Sequence, residues 1–309
     1  MPENICCKDS SLDANEHLYG TVPRVEHWLL LEYTEHWEKD ALEMSKIPGP
    51  VKDEINKCLK SLKNSRFQFI QRELNTDGPI NFYYIKSTEL EPKSYHFQFN
   101  SYEELLELDI INLIENGDIN DSQTDEKIAI ICTHGAYDSC CGTYGVPVFD
   151  ELQKNSSLSV WKSTHVGSHR FSANMVMLPE GIYYGRVSPE NVSEIANIHL
   201  NGEIALDNFR GRCCFQQAAQ VSEYFLRKQL GIVSGIYDIE WVYEKDRYEH
   251  TSVEFLVKKV NLVYSVNSFV MNSAIKVKTS CMDKEPQSIP QFYFYSLIPY
   301  TPESEEDNK

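Results

Sequence analysis

Two cysteines and two histidines constrain the fold of this 309-residue chain more than any other sequence feature. Cys132 and Cys141 are separated by eight residues, and His165 and His169 follow with three residues between them. A lone cysteine or histidine is more often a core or surface residue than a ligand. Two pairs of soft or borderline ligands on two neighbouring loops are instead typical of a metal site. The fold therefore has to bring these two loops together.

Glycines adjoin both pairs of candidate ligands. Gly135 and Gly142 lie in the cysteine segment, and Gly167 lies between the two histidines. Glycine permits positive φ and a close approach of the backbone, so the cysteine segment can fold around a cluster and donate N–H groups to it. Gly167 indicates that the histidines occupy a turn rather than a regular helix.

Hydrophobic periodicity predicts an α/β fold with two α/β units and a β-rich C-terminal segment. In the first unit we expect strands at 25–33, 66–72 and 80–87 and helices at 51–64 and 101–117, the last with a capping box at Ser101 and Glu104. In the second we expect a strand at 127–135, a short helix at 146–155, at least two strands within 160–187, and helices at 188–202 and 212–231. Both units begin strand–loop–helix, which suggests a duplication. The segments 241–247, 252–269 and 274–281 predict a three-stranded meander.

These elements suggest a division of the chain into four parts. The predicted parts are an N-terminal α/β domain at 1–124, a cluster domain at 125–232, the β-rich segment at 233–300 and a disordered acidic tail at 301–309. Cys6 and Cys7 fall in a start that we expect to be mobile. Nine cysteines, three pairs of them adjacent, are a poor basis for a disulfide framework and favour metal or thiol chemistry.

The charge balance restricts the class of partner. The chain has 29 basic and 46 acidic residues, a net charge of −17. Such a surface repels nucleic acid and anionic lipid, so we expect neither nucleic-acid nor membrane binding. The N-terminus lacks the basic start and apolar run of a secretory signal, and a cytoplasmic location is expected. The acidic surface either maintains solubility or steers a basic redox partner.

Three sequence blocks resemble the sucrase/ferredoxin-like family, a branch of the thioredoxin-like [2Fe-2S] ferredoxins. Residues 132–142 read CTHGAYDSCCG, residues 161–174 read WKSTHVGSHRFSAN, and residues 178–187 read LPEGIYYGRV. The blocks RGRCC at 210–214 and GTVPR at 20–24 are also similar to the family. The resemblance covers roughly residues 18–232 and implies that the second unit is thioredoxin-like.

The resemblance also implies a [2Fe-2S] cluster held by two cysteines and two histidines. Cys132 and Cys141 would bind the inner iron, and His165 and His169 the outer one. Cys140 adjoins a ligand and is a rival to Cys141, although the eight-residue spacing favours Cys141. The chain would then be a one-electron carrier rather than an enzyme with its own substrate, and its partners would be unidentified redox proteins that dock on the charged surface.

Histidine ligation has two consequences for the redox chemistry. An oxidised cluster with four thiolates carries a charge of −2, and replacing two thiolates by neutral imidazoles makes it neutral. A neutral cluster accepts an electron more readily, so the potential rises. Each ligating imidazole also has a second ring nitrogen whose proton affinity changes with the charge beside it. We therefore expect proton-coupled electron transfer.

Three further residues and two alternative functions complete the sequence-based expectations. His134, Arg170 and Arg186 could lie beside the ligands. The alternative for His134 is a polar residue that stabilises the fold. The two arginines would be counter-charges near the cluster, residues of a partner-docking surface, or members of ordinary salt bridges. A structural zinc site is one alternative function, because two cysteines and two histidines are a common zinc ligand set. A thioredoxin-like thiol oxidoreductase is the other, although the sequence lacks the C-x-x-C signature after the first strand of the second unit.

Overall fold

The computed structural model describes residues 5–74, 78–116, 122–154, 157–231, 234–247 and 250–301. Within these residues, strands form a ten-stranded sheet and a four-stranded sheet. Helices cover the larger sheet, and one of them also packs against the smaller sheet. The predicted α/β fold with a β-rich C-terminal segment is confirmed.

The first unit is built on a strand–helix–strand crossover. Its elements are α1 (Cys7–Asp13), β1 (His27–Glu32), α2 (Ala41–Met44), α3 (Gly49–Ser61), β2 (Ser65–Gln71), β3 (Ile80–Lys86), β4 (Lys93–Phe99), α4 (Ile110–Asn116) and β5 (Gln123–Thr124). Strands β1 and β2 are parallel, β3 pairs antiparallel with β1, and β4 pairs antiparallel with β3. The strand order is therefore β2-β1-β3-β4.

Two predictions for the first unit are wrong. Strand β4 was not expected, because its KSYHFQF sequence is polar and its burial follows pairing with β3 rather than a strong apolar pattern. The helix predicted at 101–117 is two pieces, a 3-10 helix over Tyr102–Glu107 and then α4. Leu108 between them is extended, which ends the first piece and turns Ile110 into the core beside α3. In place of the predicted capping box, Ser101 makes no side-chain cap hydrogen bond, and Glu104 accepts the N–H of Asn100, the residue before Ser101.

The second unit repeats the strand arrangement of the first. Its elements are β6 (Ile128–Cys132), α5 (Ser139–Leu152), β7 (Ser159–Ser163), β8 (Met175–Leu178), β9 (Ile182–Tyr184), α6 (Val192–Leu200), β10 (Phe209–Arg212) and α7 (Gln217–Leu230). The strand order is β7-β6-β8-β9. Strands β6 and β7 are parallel, β8 pairs antiparallel with β6, and β9 pairs antiparallel with β8. This is the thioredoxin-like arrangement expected for the unit. The same order in both units supports the suggested duplication.

Helix α5 begins earlier than the sequence indicated. It starts at Ser139 rather than at 146, because the Asp138 carboxylate caps it by accepting the N–H of Cys140 at 3.0 Å. Cys140 and Cys141 therefore lie on the first turn of a helix and not on a loop. Helix α7 ends at Gly231, as predicted, where φ is +63°.

The two units share one sheet and one core. Edge strands β2 and β7 pair antiparallel through Ile70 with Ser163 and Gln71 with Lys162. Apolar side chains of both units, including Trp28 of β1 and Trp161 of β7, form one buried cluster. The domain boundary near residue 124 stays a prediction, since sheet and core are continuous across it.

The N-terminal segment packs on the second unit and also joins the buried cluster that both units share. The N–H of Gly20 donates to the Arg210 carbonyl at 2.9 Å, and the N–H of Val25 donates to the Cys213 carbonyl at 2.8 Å. Cys7, in α1, is fully buried. The expectation of a mobile start around this cysteine is therefore wrong, because contacts distant in sequence order it.

The C-terminal sheet has four antiparallel strands rather than the predicted three. They are β11 (Ile239–Arg247), β12 (His250–Val257), β13 (Leu262–Asn272) and β14 (Pro290–Tyr300). The strand predicted at 274–281 is a loop with one isolated bridge at Val277. Alternate residues of β12 are buried against α7. Of the predicted acidic tail, 302–309 lie outside the described residues. No helix in the described part of the chain has both the length and the apolar character needed to cross a bilayer.

Candidate metal centre

Three of the four predicted ligands converge at one end of the second unit. Cys132 ends β6, Cys141 lies on the first turn of α5, and His165 follows β7. One ligand atom from each lies within 4.8 Å of the others. The Nδ1 atom of His165 is 3.5 Å from the Cys141 sulfur and 3.9 Å from the Cys132 sulfur. These separations leave the three donor atoms facing a common point.

His169 lies at the margin of this group. Gly167 (φ +113°) and Ser168 (φ +55°) form a turn that places the His169 ring centroid 5.1 Å from that of His165. Both ring nitrogens of His169 are buried, and neither makes a hydrogen bond of regular geometry among the described residues, although, against the larger effect of burial, the Thr279 backbone acts on the ring to raise its pKa. The Nε2 atom lies 3.5 Å from an oxygen of Asp138. Buried nitrogens without hydrogen-bond partners are costly unless another group satisfies them, so they fit a ligand role.

The cysteine side of the site is buried and the histidine side is half-buried. Cys132 and Cys141 are at most 1% exposed. The His165 ring stacks on Tyr137 with centroids 4.1 Å apart, and a groove of about 430 Å³ opens beside both residues. Arg66 and Gln68 of β2 donate to the His165 backbone carbonyl at 2.7 and 3.3 Å. The first unit therefore holds the histidine loop of the second.

Glycines allow the helix and the strand to approach closely at the site. A Cβ atom on Gly145 of α5 would lie 2.0 Å from the carbonyl oxygen of Cys132, and one on Gly142 would lie 3.0 Å from the Cα of Gly135. Close approach, rather than a positive φ, therefore accounts for these three glycines, of which Gly135 and Gly142 were expected from the sequence to let the backbone approach the site. Larger residues would push Cys141 away from Cys132.

The electrostatics favour a deprotonated Cys132 and a neutral His169 ring. The Cys141 thiol hydrogen and the His165 ring lower the pKa of Cys132 well below its ordinary value, even though burial opposes this. Hydrogen bonding to Cys132 and burial raise the pKa of Cys141. Burial lowers the pKa of His169, against the attraction of Asp138. Metals bind thiolate and neutral imidazole, so these protonation states suit a metal cation. The positive charge of that cation would also favour loss of the proton from Cys141.

The three residues suggested as neighbours of the ligands have other contacts. His134 bonds through Nε2 to the Glu38 carbonyl at 2.8 Å. Arg170 pairs with Glu16 at 2.7 Å, and Arg186 donates to the Glu16 carbonyl at 2.8 Å. Both arginines thus fasten the segment after α1, and Arg170 forms the ordinary salt bridge that was one of its possible roles.

Cys140 points away from the first group and belongs to a second one. Its sulfur lies with those of Cys7 and Cys281 and with the carboxylate of Asp138. The sequence did not predict this group, because its three cysteines come from the N-terminal segment, the middle of the chain and the C-terminal region. The adjacent cysteines at 140 and 141 could have indicated a second group. Neighbouring side chains on a helix point about 100° apart, so the two cysteines face different surroundings.

A family model matches the part of the chain that contains this site. The model of the family described as "Sucrase/ferredoxin-like" matches residues 18–211, which include all four predicted ligands. The chain belongs to the sucrase/ferredoxin-like family. The match covers most of both α/β units and ends within β10, so α1, α7 and the C-terminal sheet lie outside it.

Curated relatives and solved structures match shorter segments. "Altered inheritance of mitochondria protein 32" of Meyerozyma guilliermondii is 39% identical over 99 residues, covering 28% of this chain and 35% of that protein. The protein of the same name from Candida glabrata is 28% identical over 96 residues, covering 26% and 31%. The chain thus spans about a third of the length of these relatives. The thioredoxin-like [2Fe-2S] ferredoxin of Aquifex aeolicus is 21% identical, with 28% of this chain and 97% of that chain covered and a TM-score of 0.25.

Proposed function

We propose that this protein is a one-electron carrier that binds a [2Fe-2S] cluster through Cys132, Cys141, His165 and His169. The convergence of Cys132, Cys141 and His165 within 4.8 Å carries the proposal. The two buried nitrogens of His169 beside them supply a fourth ligand. The family description, which includes ferredoxins, is consistent with it. When bound, such a cluster accepts and releases one electron.

The cysteine ligands are shielded from solvent, whereas the histidine ligands lie close to the protein surface. Cys132 and Cys141 lie in the buried interior, which excludes water from the sulfur ligands. His165 is half-buried and lines the groove that also contains Arg66 and Tyr137. An electron therefore has its shortest route to the surface on the histidine side. A redox protein that docks at this groove is the proposed partner.

The imidazoles also provide the proposed proton coupling. Each histidine has two ring nitrogens, and the one that is not a ligand can hold or release a proton. An added electron increases the negative charge beside that nitrogen and so raises its affinity for the proton. The potential is then expected to fall as pH rises through the range in which the proton is lost. The cytoplasmic location and the identity of the partner stay predictions.

Spectroscopy of the anaerobically purified full chain tests the proposal. We expect a red-brown protein with two irons and two sulfides per chain, and an EPR signal after dithionite whose average g value is of the Rieske type. A potential that falls with pH above neutrality tests the proton coupling. A colourless chain that binds zinc at Cys132 instead would overturn the proposal. A cluster whose potential is constant from about pH 6 to 10 would overturn only the proton-coupled part.

A further inference from the structure

Three cysteine sulfurs form a triangle next to the candidate metal centre. The sulfur of Cys140 is 3.5 Å from that of Cys7 and 3.2 Å from that of Cys281, and the Cys281 and Cys7 sulfurs are 3.5 Å apart. The residues come from α1, from the first turn of α5 and from the loop between β13 and β14. Cys7 and Cys140 are buried, and Cys281 is half-buried. Three segments distant in sequence thus place their thiols at one point.

A buried carboxylate completes the group. Asp138 has an oxygen 3.9 Å from the Cys7 sulfur. Its position is fixed by the backbone N–H groups of Cys140 at 3.0 Å and Cys281 at 2.9 Å and by the Ser280 hydroxyl at 3.1 Å. The Asp138 side chain is fully buried. Four potential ligand atoms from the four residues lie within 4.8 Å of one another.

We propose that Cys7, Cys140, Cys281 and Asp138 form a second metal site, which binds Zn²⁺. Zinc takes four ligands in a tetrahedron with zinc–sulfur bonds of about 2.3 Å, which places sulfurs roughly 3.8 Å apart. The sulfur triangle is already close to that spacing. A disulfide would use two of the cysteines and leave a third thiol against it, whereas one zinc ion uses all three. The inference does not depend on the proposed electron transfer.

The second site would connect the ends of the chain to the first site. Zinc would fasten α1 and the loop around Cys281 to the first turn of α5. The residue after Cys140 on that turn is Cys141, a proposed cluster ligand. Asp138 also faces His169 at 3.5 Å. The role of zinc here is structural, because the ion has no redox chemistry of its own and the site has no ligand position left open.

Zinc binding to the full chain tests the proposal in a background that lacks the first site. Cys132→Ser removes a ligand of the first site, so that zinc bound by this variant reports the second site. We expect one zinc per chain in Cys132→Ser and a loss of zinc affinity of roughly 100-fold or more when Cys281→Ser is added, since even outer partners of a metal site are worth about 10–100-fold. Cys58→Ser in the same background is the control, because Cys58 is buried in α3 outside both groups.

A second measurement keeps the result independent of folding and of the cluster. In the chain purified with its metals, Cys281→Ser should lose zinc and keep iron, while circular dichroism shows unchanged secondary structure. The proposal is overturned if Cys132→Ser binds no zinc, if adding Cys281→Ser leaves the affinity unchanged, or if mass spectrometry shows a Cys140–Cys281 disulfide in the anaerobic wild-type chain. Absence of iron from the wild type would contradict only the proposed electron transfer.

Discussion

The Nε2 atom of His169 lies 3.5 Å from an oxygen of Asp138. The same carboxylate caps helix α5 and accepts the backbone N–H of Cys281. Although burial acts in the opposite direction, these backbone N–H groups hold the pKa of Asp138 below its ordinary value, so the group is charged at neutral pH. In the absence of zinc at the second site, a negative charge therefore lies beside a proposed cluster ligand at neutral pH.

In the zinc-free chain, Asp138→Asn should raise the reduction potential of the proposed cluster site. The substitution removes a nearby negative charge, which opposes the uptake of an electron, and keeps an oxygen that can cap α5. A change of about 1 kcal/mol corresponds to an increase on the order of 40 mV for one electron. Redox titration followed by EPR measures it, with Glu151→Gln at the exposed end of α5 as the control. A lower potential in Asp138→Asn would contradict this electrostatic role.

Cys140→Ser and Cys141→Ser should differ in the amount of iron that the purified protein contains. The Cys141 sulfur faces His165 at 3.5 Å, whereas the Cys140 sulfur faces Cys281 at 3.2 Å. We therefore expect Cys141→Ser to reduce iron and sulfide content several-fold and Cys140→Ser to retain both. Elemental analysis of the two proteins, purified in parallel, makes the comparison. The assignment of Cys141 fails if the iron is lost from Cys140→Ser and kept in Cys141→Ser.

Gly145→Ala should destabilise the fold and the site together. The new methyl group would lie 2.0 Å from the Cys132 carbonyl oxygen, and a backbone atom cannot move aside cheaply. We expect a loss of about 3 kcal/mol or more in the free energy of unfolding, at the upper end of overpacking effects. Gly49→Ala is the matched control. Gly49 lies in the first turn of α3, and a Cβ added there would meet no atom within 4 Å. Urea unfolding of the two variants should differ accordingly, and equal stabilities would refute the close approach.

Glu180 should make the stability depend on pH in the acidic range. Burial alone raises its pKa, but the His199 ring and the Lys127 ammonium beside it lower the pKa to about 2. A carboxylate with a lowered pKa stabilises the fold above its unfolded pKa of about 4.5, and this contribution is lost as pH falls towards 2. We expect wild type to lose about 3 kcal/mol more than Glu180→Gln between pH 5 and pH 2. Acid release of metal affects both chains alike, so parallel acid-unfolding profiles would argue against this role.

The sequence contains the local part of the site but not its long-range part. Cys132, Cys141 and His165 could be predicted to meet, because their spacing and glycines follow one strand–helix–strand unit. The group of Cys7, Cys140 and Cys281 could not, because no local pattern relates an N-terminal helix to a loop near residue 281. Its ligands meet only after both units and the C-terminal sheet have packed.

The fold shows the same limit. Strands with strong apolar runs, such as β1 and β6, were predicted correctly, because burial on both faces leaves a continuous hydrophobic signal. Strand β4 was not, since its pairing with β3 outweighs a polar composition. The early start of α5 depends on one capping side chain, Asp138, which the apolar periodicity does not register.

The antiparallel pairing of β2 with β7 relates two units of equal strand order, as a two-fold axis relates the subunits of a homodimer. The first unit therefore stands where the second subunit of such a dimer would, and the four predicted ligands all lie in the other unit. Arg66 and Gln68 of the first unit hold the His165 carbonyl. Because both units belong to one chain, this support cannot dissociate from the histidine loop and does not depend on protein concentration.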